Sequence, residues 1–209
     1  MKRRETALIF GCATVLLSYP DRSFSEDMAA SKEALERLPK CKARSELASA
    51  LAWLSAMSAL EAAANYVETF DLQKRRSLHL TYYLHGDTRE RGLALSALVG
   101  VYRKEGFELA SGELPDYLPA LLELAAASTA GAAILIELRP AIVLLRNALE
   151  KARSPYGRAV TAVLEALGSI SKTDKLVIER YKAQGPPTEK VGLEPFAPPE
   201  ILSQRVEIR

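Results

Sequence analysis

The sequence is poor in the residues that build metal sites and disulfide frameworks. It contains two histidines and two cysteines, Cys12 and Cys41, and no two cysteines separated by only two residues. A structural zinc site needs about four such ligands, and a disulfide scaffold needs several paired cysteines. We therefore expect no metal site and no disulfide scaffold, and the low cysteine content is typical of a protein from a reducing cytoplasm.

Charge imbalance and long apolar runs are also lacking. Lys plus Arg is 28 and Asp plus Glu is 26, a net charge of +2 that does not predict a nucleic-acid partner. No apolar run approaches the ~20 residues of a membrane-spanning helix. The N-terminus, MKRRETALIFGC, resembles a secretion signal, but its apolar stretch is shorter than the ~7–15 residues that such signals contain. We interpret it as a first helix, with Leu8, Cys12, Val15 and Leu16 on one face.

Helical periodicity dominates the rest of the chain, and no stretch alternates convincingly with period two. Leu138, Ile142, Leu145 and Leu149, for example, repeat at intervals of about three or four residues, as on one face of a helix. The pattern predicts an all-α, single-domain helical bundle over residues 1–183. The predicted helices are 4–18, 25–38 with Ser25 as cap, one through Leu47 and Leu54, one from Leu60 towards Phe70, 88–105 with Thr88 as cap, one through Leu118 and Ala125, one begun or kinked at Pro140, 154–167 and 174–182.

The composition changes at Gln184, where the sequence continues QGPPTEKVGLEPFAPPE. Five of the eleven prolines lie within residues 186–199. Because proline lacks a backbone N–H and fixes its own dihedral, such a segment does not continue a helix. We expect an extended or disordered C-terminal tail over residues 184–209, with Phe196, Ile201 and Leu202 able to dock on the body.

Residues 66–92, YVETFDLQKRRSLHLTYYLHGDTRERG, form a central stretch that is both aromatic and charged. It could be a catalytic cleft, a nucleic-acid surface or a groove that binds a polypeptide. His85 and Asp87 are the candidates for a small helical hydrolase, but no nucleophile motif, HExxH or P-loop accompanies them. The basic residues 74–76 are diluted by Glu68 and Asp71, so they indicate a solvated turn or a contact with an acidic protein partner.

A second informative stretch is GELPDYLP, residues 112–119. Pro115 suits the neighbourhood of a first helical turn, and Asp116 suits the positive end of a helix dipole. A well-made helix start would explain both residues. The alternative is a rigid corner in which Glu113 and Asp116, beside Tyr117, bind a cationic peptide through charge-assisted hydrogen bonds.

Three stretches in order, LLSYPD at 16–21, the central stretch and ELPDYLPALLELAA at 113–126, carry a resemblance to a known family. They resemble the nitrate reductase molybdenum-cofactor assembly chaperones (the NarJ family), within the wider TorD/DmsD-like redox-enzyme chaperones. The ending VGLEPF is similar to tails of some members. His79 and Leu84 depart from residues often found in the family, which bears on the client rather than on membership.

The resemblance implies an all-helical, non-enzymatic protein of the cytoplasm. It would bind the N-terminal segment of the apo catalytic (alpha) subunit of respiratory nitrate reductase, and keep it competent for molybdenum-cofactor and iron–sulfur insertion before membrane assembly. Contact with the cofactor-insertion machinery is a further expected partnership; nucleic acid, a bound cofactor and catalytic residues are not expected. The alternatives are another molybdoenzyme of the dimethyl-sulfoxide-reductase type as client, or the small hydrolase. The client-peptide-binding residues that the resemblance implies are Tyr66, Phe70, Asp71, Tyr82, Tyr83, Asp87, Arg91, Glu113, Pro115, Asp116 and Tyr117.

Overall fold

The computed structural model describes residues 2–188, and within them the regular structure is helical. No strand forms in this range; one isolated antiparallel bridge joins His79 to Tyr117. The all-α prediction is therefore confirmed for the described residues. The helices are α1 (Arg3–Leu17), α2 (Phe24–Glu36), α3 (Lys42–Leu54), α4 (Ala59–Tyr66), α5 (Thr81–His85), α6 (Arg89–Lys104), α7 (Leu118–Ala127), α8 (Thr129–Glu137), α9 (Arg139–Lys151), α10 (Tyr156–Leu167) and α11 (Lys172–Gln184).

Helix α1 forms the centre of the bundle and packs against α2, α3, α7 and α10. Its inward face carries Ile9, Phe10, Leu16 and Leu17, each at most 2% exposed. Burying a side chain of this size stabilises the fold by about 1.5–3 kcal/mol. The N-terminal segment thus serves as a core helix, as predicted, but its inward face is shifted from the predicted one, since Leu8 and Val15 are only partly buried.

Helices α7 and α8 pack closely because a glycine lies at their contact. Ser128 separates the two helices and caps α8, its hydroxyl accepting a hydrogen bond from the backbone N–H of Gly131. A Cβ placed on Gly131 would lie 2.6 Å from the carbonyl carbon of Leu124 and 2.7 Å from the backbone nitrogen of Ala125. The absence of a side chain is therefore what lets the two backbones approach.

An ion pair of low exposure holds α11 against α9. Nε of Arg139 lies 2.9 Å from Oδ2 of Asp174, and both side chains are 11% exposed. Arg139 also donates to the carbonyl oxygens of Leu167 (3.4 Å) and Ser169 (2.7 Å), which follow or end α10. Because the guanidinium and carboxylate each have partners, the pair fixes where the last helix lies rather than leaving a buried charge uncompensated.

The structure corrects several predicted boundaries. Helix α2 is preceded by Ser23 rather than Ser25, which lies inside it. Pro140 begins α9 at its first turn, where a missing N–H breaks no intrahelical hydrogen bond, and does not kink a longer helix. Helix α4 ends at Tyr66 and continues as a π turn, Val67–Asp71, in which Leu72 N–H donates to Val67 C=O. Helices α5 and α8 were not expected: α5 is only five residues long, and α8 is nearly uniformly apolar.

In the described range, no single helix is long and apolar enough to cross a membrane. Among the described helices, one pair meets the length and composition criteria when taken together, α3 with α4 and the π turn, and the chain bends by 115° between its two members.

The start of the predicted tail lies against the central stretch. Helix α11 extends through Gln184, and Pro187 then passes directly over Gly86, whose φ is +62°. Any Cβ on Gly86 would collide with the Pro187 carbonyl oxygen. The segment closes one side of a cavity of about 570 Å³ that Tyr83 and Tyr181 also line. The remainder of the predicted tail, including Phe196, Ile201 and Leu202, lies outside the described residues.

We expect Gly131→Ala to destabilise the fold by about 1 to 3 kcal/mol, because the new methyl group meets the α7 backbone. The matched control is Gly100→Ala in α6, where nothing lies within 4 Å of the added Cβ. Gly100→Ala should stabilise the fold by about 0.5–1 kcal/mol, because alanine has a higher helix propensity than glycine. Urea denaturation followed by circular dichroism measures both, and equal effects would contradict the close packing of α7 on α8.

Candidate functional site

A fully buried carboxylate, that of Asp116, lies between the central stretch and the start of α7. Its Oδ1 lies 3.1 Å from Nδ1 of His79. Its Oδ2 accepts hydrogen bonds from the backbone N–H of Thr81 (3.2 Å) and from the Thr81 hydroxyl, and lies 3.5 Å from Nη2 of Arg91. Both carboxylate oxygens therefore have partners inside the protein.

The backbone reinforces the same junction. Leu80 N–H donates to the carbonyl oxygen of Asp116 (3.0 Å), and Leu118 N–H donates to the carbonyl oxygen of Leu78 (2.9 Å). These two bonds form the isolated bridge between the central stretch and the residue before α7. Side-chain and backbone contacts thus fix the central stretch to α7 at one point.

The surroundings of Asp116 keep it ionised. Burial alone would raise the pKa of this carboxyl, but the hydrogen bonds from His79 and Thr81, with the charges of His79 and Arg91, outweigh it. The net result is a pKa below the usual value for aspartate. The carboxylate is consequently a stable negative charge around which the two segments are organised.

Arg91 extends this network to the surface. Its Nε donates to the hydroxyl oxygen of Thr81 (3.2 Å), and its Nη1 donates to Oδ1 of Asp87 (3.2 Å). Its guanidinium also lies over the ring of Tyr82, 6.0 Å from the centroid. Asp87 is 61% exposed and pairs on its other side with Lys74. Arg91 therefore holds an exposed carboxylate and a half-buried tyrosine in fixed positions.

On the other side of Asp116, tyrosine rings reach the surface. The hydroxyls of Tyr66 and Tyr117 are hydrogen bonded at 2.8 Å. The ring of Tyr19 lies edge-on to that of Tyr66, with centroids 5.4 Å apart, and Tyr19 is 52% exposed. The rings of His79 and Tyr117 lie 5.6 Å apart. These contacts produce a continuous row of rings, buried at Tyr66 and exposed at Tyr19.

Two further carboxylates affect the pKa values of the tyrosines in this row. Burial raises the pKa of Tyr117, and the negative charges of Glu113 and Asp71 raise it further. Asp71 also acts on Tyr66, whose pKa is raised chiefly by burial. We call this region the tyrosine–carboxylate surface; it consists of Tyr19, Asp71, His79, Tyr82, Asp87, Glu113 and Tyr117.

The structure brings the predicted site residues together but gives them different exposure. Asp71 and Asp87 are exposed, and Tyr82, Arg91, Glu113 and Tyr117 are half-buried. The remaining five are buried: Tyr66, Phe70, Tyr83, Pro115 and Asp116. Contact of the eleven predicted residues with a client stays a prediction. The contacts of the five buried residues within the protein give those five a supporting role.

Tyr83 and Pro115 illustrate that supporting role. The hydroxyl of Tyr83 lies 3.0 Å from the carbonyl oxygens of both Arg75 and Ser77, so it holds the basic turn that precedes α5. Pro115 lies ahead of α7, and Pro119 rather than Pro115 occupies its first turn. Asp116 likewise precedes the helix, and the partners that lower its pKa against the effect of burial are His79, Thr81 and Arg91.

Sequence reasoning missed three residues of this region. Tyr19, His79 and Thr81 were not among the predicted site residues, although each contacts one of them. Tyr19 lies in the LLSYPD stretch that carries part of the family resemblance, which is a usable signal. His79 and Thr81 lie in the central stretch that also carries the resemblance, but their role depends on an aspartate more than thirty residues away in the chain, which the local pattern does not reveal.

The geometry gives no support to the hydrolase alternative. Nδ1 of His85 lies 3.9 Å from Oε2 of Glu90, while Asp87 pairs with Lys74 and Arg91. Within residues 2–188, no group of three or more His, Cys, Asp or Glu side chains could hold a metal ion. Cys12 is buried, and burial raises the pKa of its thiol to about 11, which leaves it a poor nucleophile.

The fold and this surface define an all-helical protein that presents partly exposed tyrosine rings among carboxylates. The chain belongs to the nitrate reductase delta subunit family, whose profile matches residues 35–162. It is 31% identical over 193 residues to the probable nitrate reductase molybdenum cofactor assembly chaperone NarJ of Bacillus subtilis, covering 92% of this chain and 95% of that protein.

Two other relatives differ in how much of their own length they share. The NarJ chaperone of Escherichia coli K12 is 34% identical over 166 residues, 77% of this chain and 70% of that protein. The nitrate reductase-like protein NarX of Mycobacterium tuberculosis is 39% identical over 158 residues, 75% of this chain. The match spans only 24% of NarX. The two relatives matched over most of their length are named as assembly chaperones, not as enzymes.

We expect Asp116→Asn to destabilise the fold by about 2 to 4 kcal/mol, because an amide has one acceptor oxygen where the carboxylate accepts at both, and because it leaves Arg91 without its buried opposite charge. Asp87→Asn is the matched control, since it also removes a carboxylate that contacts Arg91, but an exposed one. Its effect should stay within about 0.5 kcal/mol. Urea denaturation measures the unfolding free energy of both variants. Equal losses would show that the buried position of Asp116 adds nothing to its contribution to stability.

The stabilisation from Asp116 should depend on pH with a definite sign. A carboxyl whose pKa is lowered by folding stabilises above its unfolded pKa of about 3.9, and this contribution is lost as pH falls through the folded pKa. The difference in unfolding free energy between the natural chain and Asp116→Asn should be constant above about pH 5 and shrink below about pH 4. A difference that grows on acidification would contradict the lowered pKa.

Proposed function

We propose that this protein is a cytoplasmic, non-enzymatic assembly chaperone for respiratory nitrate reductase. It binds the N-terminal segment of the apo alpha subunit and keeps that subunit competent for molybdenum-cofactor and iron–sulfur insertion before membrane assembly. The observation that carries the proposal is the similarity to a NarJ assembly chaperone over 92% of this chain and 95% of that protein. Similarity over nearly the whole of both chains favours a shared function more strongly than a match limited to one pair of helices would.

The tyrosine–carboxylate surface supports peptide binding as the mechanism. Tyr19 and Tyr117 offer apolar ring area with a hydroxyl at the edge, which suits an interface that is partly wet. Asp71, Asp87 and Glu113 supply negative charge around the rings. An amphipathic client helix would place apolar side chains on the rings and basic side chains at the carboxylates. The client class that fits is therefore a basic, amphipathic chain end.

The buried Asp116 network gives this surface a fixed shape before the client arrives. His79, Thr81 and Arg91 are all oriented by contact with Asp116, and Arg91 in turn contacts the exposed Asp87, while His79 lies against the ring of Tyr117. A surface that is ordered in advance loses less conformational entropy on binding. On this view Asp116 acts on client affinity through the residues that it positions.

The identity of the client can be tested directly by affinity capture. The tagged full-length chain is isolated from cells of its own host grown with nitrate as respiratory acceptor, and bound proteins are identified by mass spectrometry. The proposal expects the alpha subunit of nitrate reductase in its cofactor-free form. Recovery of another molybdoenzyme of the dimethyl-sulfoxide-reductase type in its place would establish the alternative client and overturn the proposed one.

We expect Tyr19→Ala to weaken binding of a synthetic peptide with about the first twenty residues of the alpha subunit by about 2 kcal/mol, as for an aromatic anchor. Tyr19 is 52% exposed, so its loss should leave the fold intact. The control is Leu176→Ala on α11, an apolar side chain 67% exposed and outside the tyrosine–carboxylate surface. Calorimetry measures affinity; equal affinities for both variants would remove Tyr19 from the binding site.

A further inference from the structure

Ring contacts connect the tyrosine–carboxylate surface to the cavity under the start of the tail. The ring of Tyr82, beneath the guanidinium of Arg91, has its centroid 6.1 Å from that of Tyr83. The centroid of Tyr83 lies in turn 5.8 Å from that of Tyr181 on α11. Tyr83 and Tyr181 both line the cavity of about 570 Å³. The cavity is therefore the immediate neighbour of the surface, on the side of α5.

The wall of this cavity suits an apolar side chain. Leu84 of α5 and Val177 of α11 line it together with the two tyrosine rings. Glu90 and Arg180 also line it and supply one charge of each sign. A concave site with apolar and aromatic walls and few polar groups is the usual form of a binding pocket in a protein.

The chain's own residues 185–188, which we call the strap, close one side of the cavity. Gly185 ends α11 with a φ of +75°, a conformation that favours glycine, and turns the chain out of the helix. Pro187 then passes over Gly86, its carbonyl group lying where a side chain of residue 86 would stand. Two glycines thus allow the strap to leave the helix and to lie flat on the turn after α5.

Packing, and not polar contact, holds the strap in this position. Pro186 and Pro187 have no backbone N–H to donate. Among the hydrogen bonds and ion pairs within residues 2–188, none joins residues 186–188 to α5 or Gly86. Pro187 and Thr188 are exposed. Because few buried contacts and no hydrogen bonds are lost when it opens, the strap belongs to the part of the fold that opens most readily.

We propose that the cavity is a subsite for an apolar side chain of the bound client segment, and that the strap occupies it in the free protein until the client displaces it. This inference rests on the proposed function and adds an autoinhibitory element to it. Gly86 directly precedes Asp87, and Tyr83 directly follows Tyr82, so a client helix on those two surface residues reaches the edge of the strap. The strap and the client then compete for the same walls.

Weakening the strap should strengthen client binding, because a closed strap reduces the apparent affinity to the fraction of molecules in which it is open. The double variant Pro186→Gly with Pro187→Gly makes the strap flexible, so that it loses more conformational entropy on closing. Both positions follow α11, so the helices keep their sequence. We expect the variant to bind the alpha-subunit peptide about three- to tenfold more tightly in calorimetry.

The chain supplies a matched control for this change. Pro198 and Pro199 form a second Pro-Pro pair, beyond the strap. Pro198→Gly with Pro199→Gly makes the same chemical change without touching the strap, and it should leave peptide affinity unchanged. Equal affinity of the strap variant and the natural chain would overturn the autoinhibition, and so would weaker binding by the strap variant, which would make the strap part of the client site.

A second pair of variants displaces the strap from the opposite side. Gly86→Ala places a methyl group against the Pro187 carbonyl, whereas Gly168→Ala meets nothing within 4 Å. The two glycines have nearly the same dihedrals, φ +62° and ψ −157° against φ +83° and ψ −165°, so both substitutions strain the backbone alike. The heteronuclear NOE of the Thr188 amide should fall in Gly86→Ala and keep its natural value in Gly168→Ala. It should also fall when the natural chain is saturated with peptide; a Thr188 that stays ordered in that complex would overturn the displacement.

Failure of the proposed function is distinguishable from failure of this inference. If neither the natural chain nor the strap variant binds the peptide, the proposed client is wrong. The subsite is then decided by titrating N-acetyl-leucine amide into the isotope-labelled full-length chain and following amide resonances by NMR. Shifts at Tyr83, Leu84 and Tyr181 that are larger in the Pro186→Gly, Pro187→Gly variant than in the natural chain support an apolar subsite under the strap. No shifts in either chain, or equal shifts in both, overturn it.

Discussion

The arrangement of this protein's surface depends on one buried charge. Removing a carboxylate from water is strongly unfavourable unless hydrogen bonds and opposite charge replace the lost hydration. Asp116 obtains both, from His79, Thr81 and Arg91. Since these three residues come from the central stretch and Asp116 precedes α7, satisfying the charge forces two distant segments into contact. The backbone bridge at His79 and Tyr117 then fixes their register.

The residues around this junction fall into two groups: buried residues that hold their neighbours in place, and exposed residues at the surface. Tyr66, Tyr83 and Asp116 are buried and hold neighbours in place, whereas Tyr19 and Asp87 are exposed. Each exposed group is in contact with one that is fixed from below. A surface of this kind has side chains whose positions are largely set by the core, a property that favours recognition by shape as well as by charge.

Amphipathic elements were predictable from the sequence, and contacts between distant residues were not. Helices α1 and α10 have an apolar face of helical period, and their predicted and observed spans differ by about one or two residues, the usual uncertainty of helix ends. Helix α8 was missed because Thr129–Glu137 is apolar on nearly all sides and gives little periodic signal. Family resemblance singled out five of the seven residues of the tyrosine–carboxylate surface, and their contact with a client stays a prediction. The burial of Asp116 was not predictable, because a carboxylate just before a helix already has an adequate local explanation in the helix dipole.

The charge distribution explains why the bulk composition was a poor guide to partners. A net charge of +2 suggests no preference, yet the negative charges of Asp71 and Glu113 both act on the ring of Tyr117, and that of Glu113 also acts on Glu123. Screening limits each charge to neighbours within about a Debye length, roughly 8–10 Å, so an approaching chain end senses the local cluster and not the sum.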